Sequence, residues 1–294
     1  MKLSELGEDR VVSELTKNLP LTKGVRVGIG DDCAVIGGKG DLEWELLKTD
    51  SLIEGVHFTN DADPKKIGWK ALARAVSDIA AMGGIPKYAM VTIALSPDTE
   101  FARVKAIYSG LRRIADQFEI SIVGGETSRS PGPMFLSIAL TGTVEKDRCV
   151  LRSGGRAGDL LYVTGRLGGS IRGKHLSFIP RVEEGRWLAK NFRPNAMMDL
   201  SDGLGADLPR LARASKTGFE MTTESLPLNP GCNPEDALKD GEDFELLFAI
   251  SNRKATDLEP AWKKQFPKLP LTRIGKLTRK PSSSNTQNGF DHFA

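Results

Sequence analysis

Val27-Gly28-Ile29-Gly30-Asp31-Asp32-Cys33-Ala34-Val35-Ile36 and, a few residues on, Leu46-Leu47-Lys48-Thr49-Asp50-Ser51-Leu52-Ile53-Glu54-Gly55-Val56-His57-Phe58 decide how this chain is read. Both are apolar, strand-like runs ending in carboxylates: Asp31 and Asp32 on the first, Asp50 and Glu54 on the second. A strand shows alternate residues to opposite faces, so the adjacent Asp31 and Asp32 are expected to point apart. Carboxylates set beside Val and Ile add nothing to packing, and burying them is costly unless a cation or donor meets them. Taken alone, the stretch reads equally as a polar loop beside two strands; its weight comes from what recurs downstream.

Upstream, Leu6, Val11, Val12, Leu15 and Leu19 sit at near-helical spacing before Pro20, which predicts a short amphipathic helix. Downstream, Asp63-Pro64 is a helix start, with Ile67, Ala71, Ala75, Ile79 and Met82 as its buried stripe and Gly83-Gly84 as its stop. Tyr88 to Leu95 reads as a strand, a second helix follows Pro97-Asp98, and Ile120 to Thr127 reads as a buried strand running through Gly124-Gly125-Glu126. Met134 to Val144 alternates as a further strand. The mixture predicts an α+β layer rather than a doubly wound sheet. Around Asp147 to Asp159 the composition turns to Arg, Gly and Ser, which places a domain boundary there: residues 1–147 and 148–294. The second part carries strands at Leu160 to Thr164, Gly218 to Thr222, Phe244 to Ile250 and Leu271 to Leu277. Helices are expected over Pro180 to Phe192, through Leu208 and Leu211, and near Ala261. Ser282-Ser-Ser-Asn285 reads as a polar linker before the terminal Gly289-Phe290-Asp291-His292-Phe293.

A net charge of +3 over 294 residues is too small to argue for nucleic acid. Three cysteines, far apart and without Cys-x-x-Cys spacing, make neither a disulfide framework nor a zinc site. An acidic N-terminus lacks the apolar core of a signal peptide, and no run reaches the length of a membrane span, so a soluble, cytoplasmic protein is expected.

Asp31, Asp32, Asp50, Asp78, Glu126, Asp199, Asp202, Glu242 and Asp243 mostly sit at strand ends or in glycine turns beside apolar residues. Gathered in one cleft, several could not stay ionised. Magnesium resolves this, because it takes oxygen ligands from a few carboxylates and from substrate phosphates. With three histidines and no Gly-x-Ser-x-Gly elbow, no hydrolytic triad competes for the role. Gly168-Gly-Ser-Ile-Arg-Gly173-Lys174-His175 nearly matches a phosphate-binding loop, but His175 replaces the hydroxyl that would hold magnesium.

These motifs together resemble the thiamine-monophosphate kinase family, within the aminoimidazole ribonucleotide synthetase superfamily. The matching signatures run in the family's order: Gly28-Ile-Gly-Asp-Asp-Cys-Ala-Val35, Thr49-Asp-Ser-Leu-Ile-Glu-Gly-Val-His-Phe58 and Gly68 to Gly84. Val123-Gly-Gly-Glu-Thr127, Met198-Asp-Leu-Ser-Asp-Gly-Leu204, Gly241-Glu-Asp-Phe-Glu-Leu-Leu-Phe248 and the terminal Gly-Phe-Asp-His-Phe follow. The resemblance implies a two-domain α+β fold. In it, the N-terminal α/β domain pairs with a second subunit into a β-barrel, and a C-terminal α+β domain closes the cleft. It implies ATP-dependent phosphorylation of thiamine monophosphate in a homodimer. Asp32, Thr49, Asp50, Asp78, Glu126, Asp199 and Asp202 would match magnesium ligands, with Lys48 beside them. Tyr108, Gly125, Glu126, Arg152 and Ser201 would face ATP, and Arg152 and Asp202 would carry catalysis. His57, Glu242, Asp243 and Phe290 would form the thiamine-phosphate side. Tyr108 stands equally as core, and Arg152, His57 and Phe290 each have a structural alternative.

Three positions depart from the family pattern: Glu126 for Asp, Asp240 for Gly, and Lys48 for Thr, where the lysine would supply part of a cation's charge. Alternative readings are another ATP-using enzyme of the superfamily or a non-catalytic thiamine-phosphate or nucleotide sensor. The hydrogenase-maturation relative would need a C-terminal cysteine, which the terminal His-Phe-Ala lacks.

Overall fold

The computed structural model describes residues 2–279 and 289–293, and the Ser282–Asn285 linker lies outside them. The opening helix is broken at Gly7 into α1 (Leu3–Leu6) and α2 (Glu8–Thr16). Strands β1 (Val25–Val27), β2 (Ala34–Ile36) and β3 (Glu43–Ile53) follow, then helix α3 (Pro64–Ala81). Asp63 caps α3 by accepting the Lys65 N–H at 2.9 Å. Next come β4 (Ile85–Leu95), α4 (Phe101–Gln117), β5 (Ser121–Arg129) and β6 (Phe135–Glu145). The six strands form one sheet in the order β1-β2-β3-β6-β4-β5, in which only β4 and β5 run parallel.

A second sheet holds β7 (Leu160–Thr164), β8 (Ala196–Asp199), β9 (Gly218–Met221), β10 (Leu246–Ile250) and β11 (Leu271–Thr278). Its order is β8-β10-β7-β11-β9, antiparallel throughout. The helices among these strands are α5 (Val182–Asn191), α6 (Leu204–Ala214), α7 (Pro234–Lys239) and α8 (Asn252–Gln265).

The two sheets differ as their sequences demand. Every residue of β7 and β10 is buried: Leu161 and Val163 face a core with α6, while Leu160 and Tyr162 face one with α5 and α8. A strand covered on both faces reads as an unbroken apolar run. β6 alternates instead, because the helices cover only one face of the first sheet. Its other face is open, with Tyr88, Met90 and Val123 each at least half exposed. Two expectations change accordingly. The segment from Ile120 to Thr127 is not a buried strand but an exposed edge strand, since β5 has a neighbour on one side only. Asp31 and Asp32 lie not at a strand end but in the turn between β1 and β2.

Helix α3 is the element that joins the two sheets. A Cβ at Gly68 would stand 1.9 Å from the Ile107 carbonyl oxygen, and one at Gly110 would stand 1.9 Å from that of Lys65, so α3 and α4 touch backbone to backbone. On its other sides α3 meets β3, α5 and β8. This puts its polar residues between the two halves.

Candidate active site

One cavity of about 1350 Å³ opens between the sheets, lined by Lys48, Thr49, Asp50, His57, Arg74, Asp78, Arg152, Asp199, Ser201 and Asp202 among others. Small-molecule pockets commonly occupy about 300–1,000 Å³, so the space suits two ligands. Three elements meet at its floor: Asp78 from α3 and Asp199 from the end of β8 line it, and Asp32 from the β1–β2 turn lies directly against them. All three are buried, and one carboxylate oxygen of each lies within 4.8 Å of the others.

Cations and donors surround these acids. Lys48 donates to Asp78 at 2.7 Å, Arg74 stands 3.2 Å from Asp50, and Ser77 donates its hydroxyl to Asp199 at 2.6 Å. Lys48 and Asp50 share the face of β3 that carries the buried Leu46 and Leu52, so strand alternation directs both toward α3. Thr49 takes the opposite, open face, 3.5 Å from the Ser137 hydroxyl. Arg152 joins the adjacent pair: its backbone N–H donates to both Asp31 oxygens at 3.1 and 3.2 Å, and its Nε donates to Asp32 at 3.0 Å.

The compensation is incomplete. Burial, then the Asp32 charge, pushes Asp31 up to about 7 and Asp199 up to about 6. Burial likewise carries Asp78 well above the ordinary carboxylate range, against the pull of Lys48. Asp32 Oδ2 is buried with no hydrogen-bond partner. An orphaned carboxylate oxygen facing two more carboxylates, with no nitrogen or sulfur donor in the set, fits a hard divalent cation such as magnesium.

The wall toward the chain's end holds His57, Phe244, His292 and Phe293. The Ile53 N–H donates to His57 Nδ1 at 3.0 Å, so a neutral ring carries its proton on Nε2. Burial, aided by Arg74, holds His57 down to about 4 and keeps it neutral. At the mouth, Arg210 pairs with Asp202 and Asp207 and donates to Asp9 of α2 at 3.1 Å, which ties the first helices to α6.

Other candidates lie outside this cavity's lining. Tyr108 is 38% exposed on α4 and so is not core, and Gly125 and Glu126 sit on the exposed edge strand. Phe290 is exposed, its ring edge-on to His292 with 4.9 Å between centroids. Glu242 and Asp243 are likewise absent from the lining, Glu242 accepting from Lys70 at 2.6 Å instead. The loop that resembles a phosphate binder is filled by the protein's own acids. The Gly168 N–H donates to Asp243 at 2.9 Å and that of Gly169 to Asp240 at 2.6 Å, while Lys174 stands 3.6 Å from Asp243 and 3.4 Å from Glu245.

Arg74, Ser77, Lys70 and Arg210 are site or support residues that the sequence reading did not single out. Arg74 was legible in part, being one turn from Asp78 on α3. Arg210 was legible only toward Asp207, three residues back on α6; Asp9, which ties it to the first helices, lies 201 residues away.

Residues 30–144 match the family model "AIR synthase related protein, N-terminal domain". Thiamine-monophosphate kinase of Rhodopirellula baltica is 37% identical over 280 residues, covering 89% of this chain and 85% of the relative. That of Bacillus subtilis is 33% identical over 309 residues, covering 92% and 94%. The solved structure of AaThiL complexed with AMPPCP and TMP superposes with a TM-score of 0.84 at 33% identity, over 99% of each chain. Escherichia coli HypE, at 19% identity and a TM-score of 0.68 over 84% of each chain, shares the fold alone. The chain therefore has the aminoimidazole ribonucleotide synthetase-like α+β fold and belongs to the thiamine-monophosphate kinase family.

Proposed function

We propose that this chain transfers the γ-phosphoryl group of ATP to thiamine monophosphate, releasing ADP and thiamine diphosphate. The observation that carries the reading is the convergence of Asp32, Asp78 and Asp199 from three distant segments, with one buried oxygen left without a partner. The acceptor is itself a phosphate oxyanion, so no strong general base is needed. An oxygen of that phosphate bonds to the γ-phosphorus while the bond to the β–γ bridging oxygen breaks, its electrons staying with ADP. Positioning and charge neutralisation supply most catalysis in such transfers.

Asp32, Asp78 and Asp199 would hold magnesium, with Asp50 and Asp202 as further candidates from the same cavity. Thr49, whose side chain takes the other face of β3, and Glu126, on the edge strand, would join only from a second copy's side. Magnesium when bound neutralises phosphate charge and aligns the two polyanions. Arg152 carries a planar guanidinium beside the floor, suited to phosphate oxygens. His57 offers its Nε2–H as a donor that stays neutral at physiological pH. Ser201 and Arg152 are assigned to the nucleotide, His57 and Phe290 to thiamine monophosphate. Glu242 and Asp243 serve that side from behind the wall rather than by contact.

We assign residues 1–147 and 148–294 as the two domains, and a cytoplasmic setting fits the absence of any helix among the described residues long and apolar enough to cross a membrane. The exposed Tyr88, Met90 and Val123 on the open face, next to an unpaired strand edge, support a homodimer formed there. A second copy would also give Tyr108, Gly125 and Glu126, outside the cavity of a single chain, a way to reach nucleotide. Incubation with ATP, magnesium and thiamine monophosphate is the test. Thiamine diphosphate should accumulate with ADP in equal amounts; binding without product would make the chain a sensor, and the kinase reading would fall.

A further inference from the structure

Lys70 is completely buried on α3, yet it is charged and does not line the cavity of the site. Its Nζ donates to the His57 carbonyl oxygen at 2.6 Å and to Glu242 Oε2 at 2.6 Å, and stands 2.8 Å from His175 Nδ1, which itself lies 3.0 Å from the same Glu242 oxygen. The first belongs to the N-terminal half and the other two to the C-terminal half. A buried ammonium is strongly disfavoured unless it is paired and hydrogen-bonded in this way, so the three segments are held in one arrangement.

The segments it gathers are the ones behind the acceptor wall. His57 closes a turn with Ile53, donating its N–H to the Ile53 carbonyl oxygen at 2.9 Å while its Nδ1 accepts the Ile53 N–H. Glu242 has a positive φ of 53°, a conformation that costs a non-glycine residue energy and persists only where its surroundings enforce it. Its N–H donates to the Ser201 carbonyl oxygen at 2.6 Å, which connects the same turn to the Ser201–Asp202 edge of the cavity. The loop from Gly168 to His175 braces this turn as well, with Ser170 donating to the Gly241 carbonyl oxygen at 2.5 Å.

We propose that Lys70 is a positioning residue for the acceptor side of the site, clasping the His57 turn to Glu242 and His175 so that the imidazole keeps one place and one tautomer. Lys70 touches no reactant; it acts through His57. The inference deepens the kinase reading and rests on it for the identity of the acceptor, but not for the clasp itself.

The discriminating variant is the double Lys70→Met/Glu242→Gln, which removes both buried charges. Either single change strands a charge and lowers the melting temperature, and the double recovers most of that loss. The double variant is expected to keep a KM for thiamine monophosphate raised about tenfold to a hundredfold, with KM for ATP within about threefold of the parent. Nitrogen-15 spectra of the three histidines give a readout that needs no turnover: His57 is a single Nε2–H tautomer in the parent and a mixture in the double. His175→Ala, which leaves the charge pair whole, raises the same KM about threefold, and His175→Asn, with an acceptor in reach of Lys70, restores it. Parental KM and a parental His57 tautomer in the double variant would reduce the clasp to a stability device and overturn the proposal. A parent that made no thiamine diphosphate would instead remove the kinase reading, leaving the tautomer measurement to judge the clasp.

Discussion

The floor of the cavity and the loop from Gly168 to His175 use the same chemical parts and reach opposite outcomes. At the loop, glycine amides, Lys174 and Arg181 meet Asp240, Asp243 and Glu245. Glu245, 1% exposed, takes both arms of Arg181 at 2.7 Å and the Thr164 hydroxyl at 2.8 Å. At the floor, Asp32, Asp78 and Asp199 also have Arg, Lys and Ser partners. Both places hold a buried oxygen without a hydrogen bond and a carboxyl raised to about 6, Asp243 at the loop and Asp199 at the floor. What sets the floor apart is that three carboxylates converge there within 4.8 Å of one another. Acids that each face a cation of the protein build structure; carboxylates crowded against one another are prepared for a cation that arrives. Spacing along the chain does not separate the two cases, since the loop carries the more familiar motif.

Neutralising the floor should have the largest consequence. Asp78→Asn or Asp32→Asn is expected to lower kcat/KM by about 10³-fold or more, as losses of charge positioning do in phosphoryl transfer. With Asp78→Asn the ion-free protein should melt no lower, because repulsion among the acids is relieved. Asp32→Asn also strands Arg152 and should melt lower. Steady-state kinetics beside a thermal melt checks both, and a collapse of stability with modest loss of activity would class the floor with the loop. Glu245→Gln should do the reverse. Removing one partner of a buried ion pair costs about 3–5 kcal/mol, so chemical denaturation should show a large loss while turnover per folded molecule changes little.

Much of this was legible from the chain. Asp63-Pro64 announced α3, and the apolar runs of β7 and β10 announced strands, whose cover on both faces only the structure supplied. Asp32, Asp50, Asp78 and Asp199 stood out because acids beside Val, Ile and Ala need a reason. Where the reading ran out, the missing information was in pairing. An apolar edge strand such as β5 has the composition of a buried one, and only its place in the sheet distinguishes them. Lys70 looked like any lysine on an amphipathic helix. Its side-chain partners lie 105 and 172 residues away, so no local pattern could mark it as buried.

The pH dependence of stability offers a smaller effect with a definite sign. Asp199 has a folded pKa of about 6 against 3.8 for an ordinary aspartate, so between those values the folded chain binds the proton that the unfolded chain has released. Its ionisation therefore subtracts stability as pH rises from about 4 to about 6, and the loss is complete above that window. His57, held at about 4 rather than 6.5, acts in the opposite direction and subtracts stability as pH falls through the same range. In ion-free protein, Asp199→Asn should raise stability at pH 7 relative to pH 4.5 compared with the parent. A parallel pair of melting curves across that range would mean Asp199 carries no excess charge burden.

The smallest expected change is the most direct probe of the contrast. Lys174 occupies the position at which a phosphate-binding loop places its lysine, and its side chain is 30% exposed and so reachable by a ligand. Here the neighbouring amides of Gly168 and Gly169 are spent on Asp243 and Asp240, and the ammonium stands between two carboxylates. Phosphate brought to this place would meet anions instead of donors. Lys174→Met is therefore expected to move KM for ATP by less than about twofold, with a loss of stability of about 1 kcal/mol from the partly exposed pair. A tenfold rise in KM for ATP with kcat unchanged would mean that nucleotide displaces the internal acids. The loop would then be part of the site, and the floor would no longer be the only region prepared for phosphate.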